Sequence, residues 1–173
     1  RMFSTGYASV DIIKGLKLKE TLSYDYTVQK DSRYLNPLSG AGPKSGSDAQ
    51  TSKGFTEYGK LLSSTSLNYT HTFAAKHHLD ILAAYELESY QSDKAMGEKA
   101  KLPSDVLLEP DNAAVLKSFV SSTQAYRMIS YLSRLNYDYD NRYYIAGSYR
   151  RDGSSRLAPE SRWGDFWSVS GMW

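Results

Sequence analysis

The sequence predicts an all-β chain, an antiparallel up-and-down sheet of about seven strands. Three observations predict it. Segments of alternating apolar and polar residues recur along the 173 residues, and strand side chains alternate between faces with period two. The connections between those segments alternate between short and long. Several segments exceed the roughly five to six residues usual for strands of soluble proteins.

The first segment, residues 2–13, aligns Ala8, Val10 and Ile12 on one face, and Lys14-Gly15 closes a tight turn. In the second, residues 16–28, one face carries Leu16, Leu18, Leu22, Tyr24, Tyr26 and Val28. The other face carries Lys17, Lys19, Thr21, Ser23, Asp25 and Thr27, and Glu20 is the one residue out of step with its apolar row. Residues 30–56 are polar and rich in Gly, Ser and Pro, the composition of a loop. The third segment, 57–73, aligns Leu61, Thr65, Leu67, Tyr69, His71 and Phe73. A short connection leads to the fourth, 78–91, with Leu79, Ile81, Ala83, Tyr85 and Leu87 opposite Asp80, Glu86 and Glu88. Residues 92–121 form a second long loop, with a short helix expected over 111–119, where Asp111 caps and Ala113, Ala114, Leu116 and Lys117 favour helix.

The fifth and sixth segments carry the clearest pattern. Ile129, Tyr131, Ser133, Leu135, Tyr137 and Tyr139 alternate with Ser130, Leu132, Arg134, Asn136, Asp138 and Asp140. After Asn141-Arg142, the row Tyr143, Ile145, Gly147, Tyr149 alternates with Tyr144, Ala146, Ser148, Arg150. Arg151-Asp152-Gly153-Ser154-Ser155-Arg156 then reads as a charged turn, because Gly admits positive φ and Asp bonds its own backbone. The seventh segment is about 165–173.

Short turns at one end and long loops at the other are the plan of an outer-membrane barrel. A Greek-key sandwich has no reason to sort its loops by length. The segments also exceed the roughly 9–11 residues a tilted strand needs to cross a bilayer. Composition agrees. Mean hydropathy is -0.54, yet there are 15 Tyr and 13% aromatics. A barrel shows lipid only every second residue and carries aromatic girdles at both interfaces. No run approaches the about 18 apolar residues of a spanning helix. The net charge of +2 is too mild for nucleic acid. Cysteine is absent, so there is no thiolate chemistry. No apolar leader follows Arg1-Met2-Phe3-Ser4. Seven strands are odd, whereas bacterial single-chain barrels have even numbers, so the expectation is a piece of a larger barrel.

The wording of the chain resembles the barrel of SusC/RagA-type TonB-dependent outer-membrane transporters. The residues that carry it are Ser130-Tyr131-Leu132-Ser133-Arg134-Leu135-Asn136-Tyr137-Asp138-Tyr139, then Arg142-Tyr143-Tyr144, then Ser148-Tyr149-Arg150 running into Arg151–Arg156. Arg162-Trp163-Gly164, Phe166, Ser168-Val169-Ser170 and Trp173 complete it. Upstream, Ile12-Ile13-Lys14-Gly15-Leu16-Lys17 and His78-Leu79-Asp80-Ile81-Leu82-Ala83-Ala84-Tyr85-Glu86 are similar to the family. The resemblance implies a parent barrel of about 22 strands in the cell outer membrane of a Gram-negative bacterium. It implies an N-terminal plug, which is absent here, the TonB complex as energy source and a SusD-like lipoprotein as lid. Nutrient uptake of glycan or peptide would be the parent's work. Residues 1–173 would then be a partial barrel, with 30–56 and 92–121 as extracellular loops.

The polar rows would face the lumen, with Arg134, Asn136, Asp138 and Arg150 the named candidates; a generically polar, water-facing wall explains them equally. Arg151, Asp152 and Arg156 are candidates for a loop tip touching a lid protein or lipopolysaccharide, since arginine's planar fork suits phosphate and carboxylate; turn chemistry is the plainer account. Tyr34, Phe55, Tyr58 and Tyr90 sit at loop bases, where an aromatic face can stack on a sugar. The apolar rows would touch outer-membrane lipid. Tyr137, Tyr139 and Tyr143 would mark the periplasmic girdle, and Tyr149 and Trp167 the outer one.

Enzymatic readings fail. Gly40-Ala41-Gly42-Pro43-Lys44-Ser45 lacks phosphate-loop spacing. His71, His77 and His78 have no partners at zinc-ligand spacing. No serine sits in a nucleophile elbow. The expectation is a transport protein without metal or cofactor. The alternatives are a small self-contained outer-membrane barrel, for which Val169 and Trp173 mimic a terminal aromatic signature, and a soluble carbohydrate-binding β domain.

Overall fold

A computed structural model describes residues 1–36, 38 and 49–173. Seven strands, β1 (Met2–Ile13), β2 (Leu16–Leu35), β3 (Gln50–Phe73), β4 (His77–Ala100), β5 (Val115–Tyr139), β6 (Tyr143–Ser154) and β7 (Trp163–Met172), form one sheet in sequence order. The sheet is antiparallel and up-and-down, as the sequence predicted. Two 3-10 turns, Pro110–Asn112 and Pro159–Ser161, sit in connections.

The strands are longer than the sequence pattern indicated. Residues 30–35 and 50–56 belong to β2 and β3, not to a loop, and residues 92–100 and 115–121 belong to β4 and β5. The physical reason is that a strand wet on both faces needs no apolar row. Its backbone ladder continues while the period-two signal fades. The helix expected over 111–119 is also replaced. Ala113 is already extended at φ -85°, ψ 136°, and β5 begins at Val115. Val115, Phe119 and Val120 prefer the pleated surface, and this outweighs the alanines. The phosphate-loop-like stretch Gly40–Ser45 lies outside the described residues.

The chain divides into two compact units. In the first (residue 1, 26–59 and 91–124), polar bonds tie the ends of the long strands. The Thr51 hydroxyl donates to the Leu108 carbonyl at 2.7 Å, Lys53 pairs with Glu109, and the Lys101 N–H donates to Ala49 O at 3.1 Å. Gly54 presses on β4, where a Cβ would lie 2.6 Å from the Ala95 carbonyl oxygen. A groove of about 720 Å³ runs past Val28, Phe55, Met96, Gly97 and Phe119. The Thr123 hydroxyl donates to Asp93 at 2.6 Å, and with Gln91 it holds that carboxyl below the usual aspartate range.

The second unit (2–25, 60–90 and 125–173) carries the short turns. Gly15 takes φ +83°, and its carbonyl accepts the Thr70 N–H at 2.8 Å. The Asp140-Asn141 turn uses positive φ at both residues, which Asp and Asn tolerate better than most. The Asp140 N–H donates to Lys76 O at 2.7 Å, tying neighbouring turns together. Among the described residues the buried apolar ones are Ala100 and Ala113, whereas Ile145, Trp167 and Val169 are 56%, 77% and 73% exposed. The large apolar side chains therefore have no protein core to enter.

Candidate functional site

Register decides which side chains share a face. Across β5 and β6, Arg134 stands opposite Ser148, Asn136 opposite Ala146, Asp138 opposite Tyr144, and Ser130 opposite Asp152. Across β6 and β7, Ser148 meets Ser168 and Arg150 meets Phe166. The even-numbered residues of these strands thus share one wall, polar through Ser130, Arg134, Asn136, Asp138, Arg150 and Asp152, with Leu132, Phe166 and Met172 among its apolar members. The odd-numbered ones form a mostly apolar wall, with Leu135 against Gly147 and Tyr149 between Ser133 and Trp167, that ends at the charged pair Arg151 and Asp165.

The polar wall is a set of charged rungs. In the first, Lys60 pairs with Glu88 at 2.7 Å, the Tyr126 hydroxyl donates to Glu88 at 2.8 Å, and Arg156 lies over the Tyr126 ring at 4.1 Å. In the second, Arg150 Nε donates to both Asp152 oxygens at 2.7 and 2.8 Å. Its Nη2 reaches Ser130 at 3.3 Å and Glu86 at 4.0 Å. In the third, Asn68 reaches Asp80 at 3.4 Å and Arg134 stands 3.6 Å from the same carboxylate. Below them, a cavity of about 910 Å³ is lined by Thr70, Thr72, His78, Asp80, Asn136 and Asp138, among others. One oxygen of Asp138 is buried there without a hydrogen-bond partner.

The apolar wall ends at the short turns in a run of rings. Tyr69, His71 and Phe73 stack along β3, and Phe73 stacks on His77 at 4.7 Å. His77 then meets Tyr139 at 4.9 Å, and Tyr139 stacks on Tyr143. His77 Nδ1 lies 2.6 Å from the Tyr137 hydroxyl, and His78 Nδ1 lies 2.9 Å from Thr72 Oγ1. His77 thus bonds to β5 and His78 to β3, and among the described residues no three metal-ligating side chains converge. Glu20, the residue out of step on β2, is explained on this wall. The Ser63 hydroxyl donates to one of its oxygens at 2.7 Å and the Thr65 hydroxyl to the other. A carboxylate in an apolar row costs less when hydrogen bonds satisfy it.

Two of the loop-tip candidates are not at a tip. Arg151 and Asp152 lie within β6, paired to Tyr131 and Ser130 on β5 and to Asp165 and Gly164 on β7. The Asp152-Gly153 pair, a turn signal in the sequence, serves another purpose. Asp152 is held by Arg150, and Gly153 leaves room for the Trp163 ring, which a Cβ would meet at 2.8 Å. Arg151 lies over that ring at 5.1 Å and 3.7 Å from Asp165. Arg156 does sit in the turn after β6. Sequence reasoning missed Lys60, Tyr126 and Asp152 as wall residues. Extending the even-numbered row past Arg150 would have found Asp152.

No family model matches the chain. Over 178 residues, the whole chain is 28% identical to a TonB-dependent receptor of Formosa agariphila, of which it covers 17%. A 65-residue stretch, 38% of the chain, is 38% identical to the TonB-dependent receptor SusC of Bacteroides thetaiotaomicron, covering 6% of it. The structure superposes on a chain of the RagAB peptide transporter with a TM-score of 0.85 and 26% identity, covering 98% of this chain and 19% of that one. Along nearly its whole length the chain is similar to part of a SusC/RagA-type TonB-dependent receptor. It spans only 17% of the length of the first of these receptors.

Within this receptor barrel the arginines facing Trp163 and Tyr126 make mainly stacking contacts at exposed positions. Arg151→Gln and Arg156→Gln are each expected to leave the receptor folded, at a cost of about 0.5–1 kcal/mol. Urea unfolding of the full-length receptor in lipid measures this, and failure to fold would make them structural keystones.

Proposed function

We propose that these strands are wall of an outer-membrane importer, with the odd-numbered wall of β5 to β7 facing lipid and the even-numbered wall facing a lumen. The observation that carries the reading is the sorting of side chains by register. Charged rungs occupy one side of the sheet. Ile145, Trp167 and Val169 occupy the other, exposed among the described residues. Only a solvent that is apolar on one side and aqueous on the other satisfies both. No helix among the described residues is long and apolar enough to cross a membrane; strands do the crossing here. The ring run from Tyr69 to Tyr143 forms the periplasmic girdle, with the amphipathic rings at headgroup level.

The whole receptor takes up glycan or peptide in this reading. It draws energy from the TonB complex, receives substrate from a SusD-like lipoprotein and resides in the outer membrane of a Gram-negative bacterium. The names of its relatives support this: receptors in two organisms and a peptide transporter. The segment's share is to hold shape and present a hydrated, charge-balanced wall. Arg134, Asn136, Asp138 and Arg150 are its lumenal side chains. Arg156 remains a candidate contact for a lid or for lipopolysaccharide.

Cysteine accessibility tests the facing. Single cysteines at Arg134, Asn136 and Leu135 in the full-length receptor are treated in the native membrane with a charged thiol reagent. The two even positions are expected to label and Leu135→Cys to stay unlabelled. Equal labelling of all three would refute the assignment.

A further inference from the structure

One strand of the sheet has an edge that its neighbour β6 leaves unpaired. β5 runs from Val115, but its pairing with β6 begins at Met128. The last tie is at Arg127, whose carbonyl accepts the Ser155 N–H at 2.9 Å and whose N–H donates to Ser155 Oγ at 2.9 Å. Successive residues of a strand turn their N–H and C=O to opposite sides. Arg127 faces β6, so Val115, Lys117, Phe119, Ser121, Thr123 and Ala125 turn theirs to the same side. None of these groups has a strand partner among the described residues, and residues 115–125 are exposed throughout. The free edges of β1 and β7 are different, because further strands of a larger barrel can cover them. β5 already has both its neighbours, β4 and β6, and β6 is too short to reach.

Such an edge is a template for pairing. Proteins blunt exposed edges with prolines, bulges or inward charges. This one carries a single charge, Lys117, between residues 115 and 126. Around it Leu116, Phe119 and Val120 are 63%, 68% and 51% exposed. Phe119 also stands beside Gly97, whose missing side chain leaves a slot next to the ring.

We propose that residues 115–125 of β5 receive an extended strand of a partner polypeptide by β-augmentation. Main-chain bonds to the six odd-numbered residues supply affinity. An apolar side chain of the partner rests against Phe119, and an acidic one faces Lys117. Among the described residues no carboxylate is paired with Lys117, and residues 115–125 contain no acid. The edge is eleven residues long, counting 115 to 125, which at about 3.3 Å per residue is a length suited to a protein strand.

Hydrogen exchange with residue-level mass spectrometry tests this on the full-length receptor. One sample is native outer-membrane vesicles. The other is the purified receptor in vesicles of outer-membrane lipid with no other protein. The odd-numbered amides from 115 to 125 are expected to exchange at least about tenfold slower in the native sample. Ser121→Pro removes one outward donor and spares the β4 ladder; it is expected to erase the protection at Phe119 and Thr123. Fast exchange in both samples overturns the proposal, because the edge then stays in water. Slow exchange in both overturns it too, because the receptor's own chain then covers the edge. Protection that survives Ser121→Pro rules out strand pairing. Lys117→Glu, which leaves the backbone untouched, is the second variant. It is expected to lower the native protection about tenfold, and unchanged protection refutes an acid-bearing partner.

Discussion

Leu135→Arg in the full-length receptor is expected to destabilise the folded barrel by about 2–4 kcal/mol, and Asn136→Arg by much less. The two residues are adjacent in β5, but their side chains point to opposite faces. Leu135 is opposite Gly147 in a groove with Ile81, Tyr149, Trp167 and Val169. An arginine there would bring its charge into hydrocarbon near the middle of the crossing, in the stretch of β5 that leads to its end at Tyr139. Asn136 is opposite Ala146 on the hydrated wall, where Asp80 and Asp138 also line the cavity. A guanidinium there enters water and finds carboxylates. Reversible urea unfolding in lipid vesicles gives both numbers. Equal costs would mean that β5 is not a boundary between lipid and lumen.

Gly15→Ala is expected to cost about 2–4 kcal/mol, a large effect for one methyl group. Two causes add. The residue sits at φ +83°, a conformation in which L-residues lose about 1–2 kcal/mol. A Cβ would also lie 2.2 Å from the Thr70 carbonyl oxygen, which is backbone and can move only with β3. The Thr70 N–H also donates to the Gly15 carbonyl, so easing the clash stretches that bond. The same unfolding measurement applies. A cost below about 1 kcal/mol would show that the β1–β2 hairpin shifts freely against β3.

Much of the fold was legible because a sheet with one apolar face imposes a strict pattern. Where one face must be apolar, as from Ile129 to Tyr139, alternation is sharp and both its phase and its partner strand can be read. The bounds of β1 were read to the residue. The pattern failed where both faces are wet. Residues 92–100 and 115–121 pair as strand without an apolar row, so polar composition passed for loop. Asp152-Gly153 misled for a related reason. Turn-forming chemistry and strand-interior chemistry use the same residues, and only Arg150 and Trp163, brought from along β6 and from β7, distinguish them. The candidate wall was half legible. Arg134, Asn136, Asp138 and Arg150 followed from parity, but their partners Asp80, Asp152 and Ser130 required register.

By itself the sequence determined that the chain is β, that its strands run up and down, and which residues of β5 and β6 share a face. These are local consequences of period-two alternation and turn length. Tertiary structure alone decided how far the strands run and which charges meet, because ladder bonds and cross-strand distances depend on residues far apart in the chain. It also decided that β6 stops short of β5. That comparison exists only once the two strands are laid side by side, and it leaves an unpaired edge that no local pattern announces.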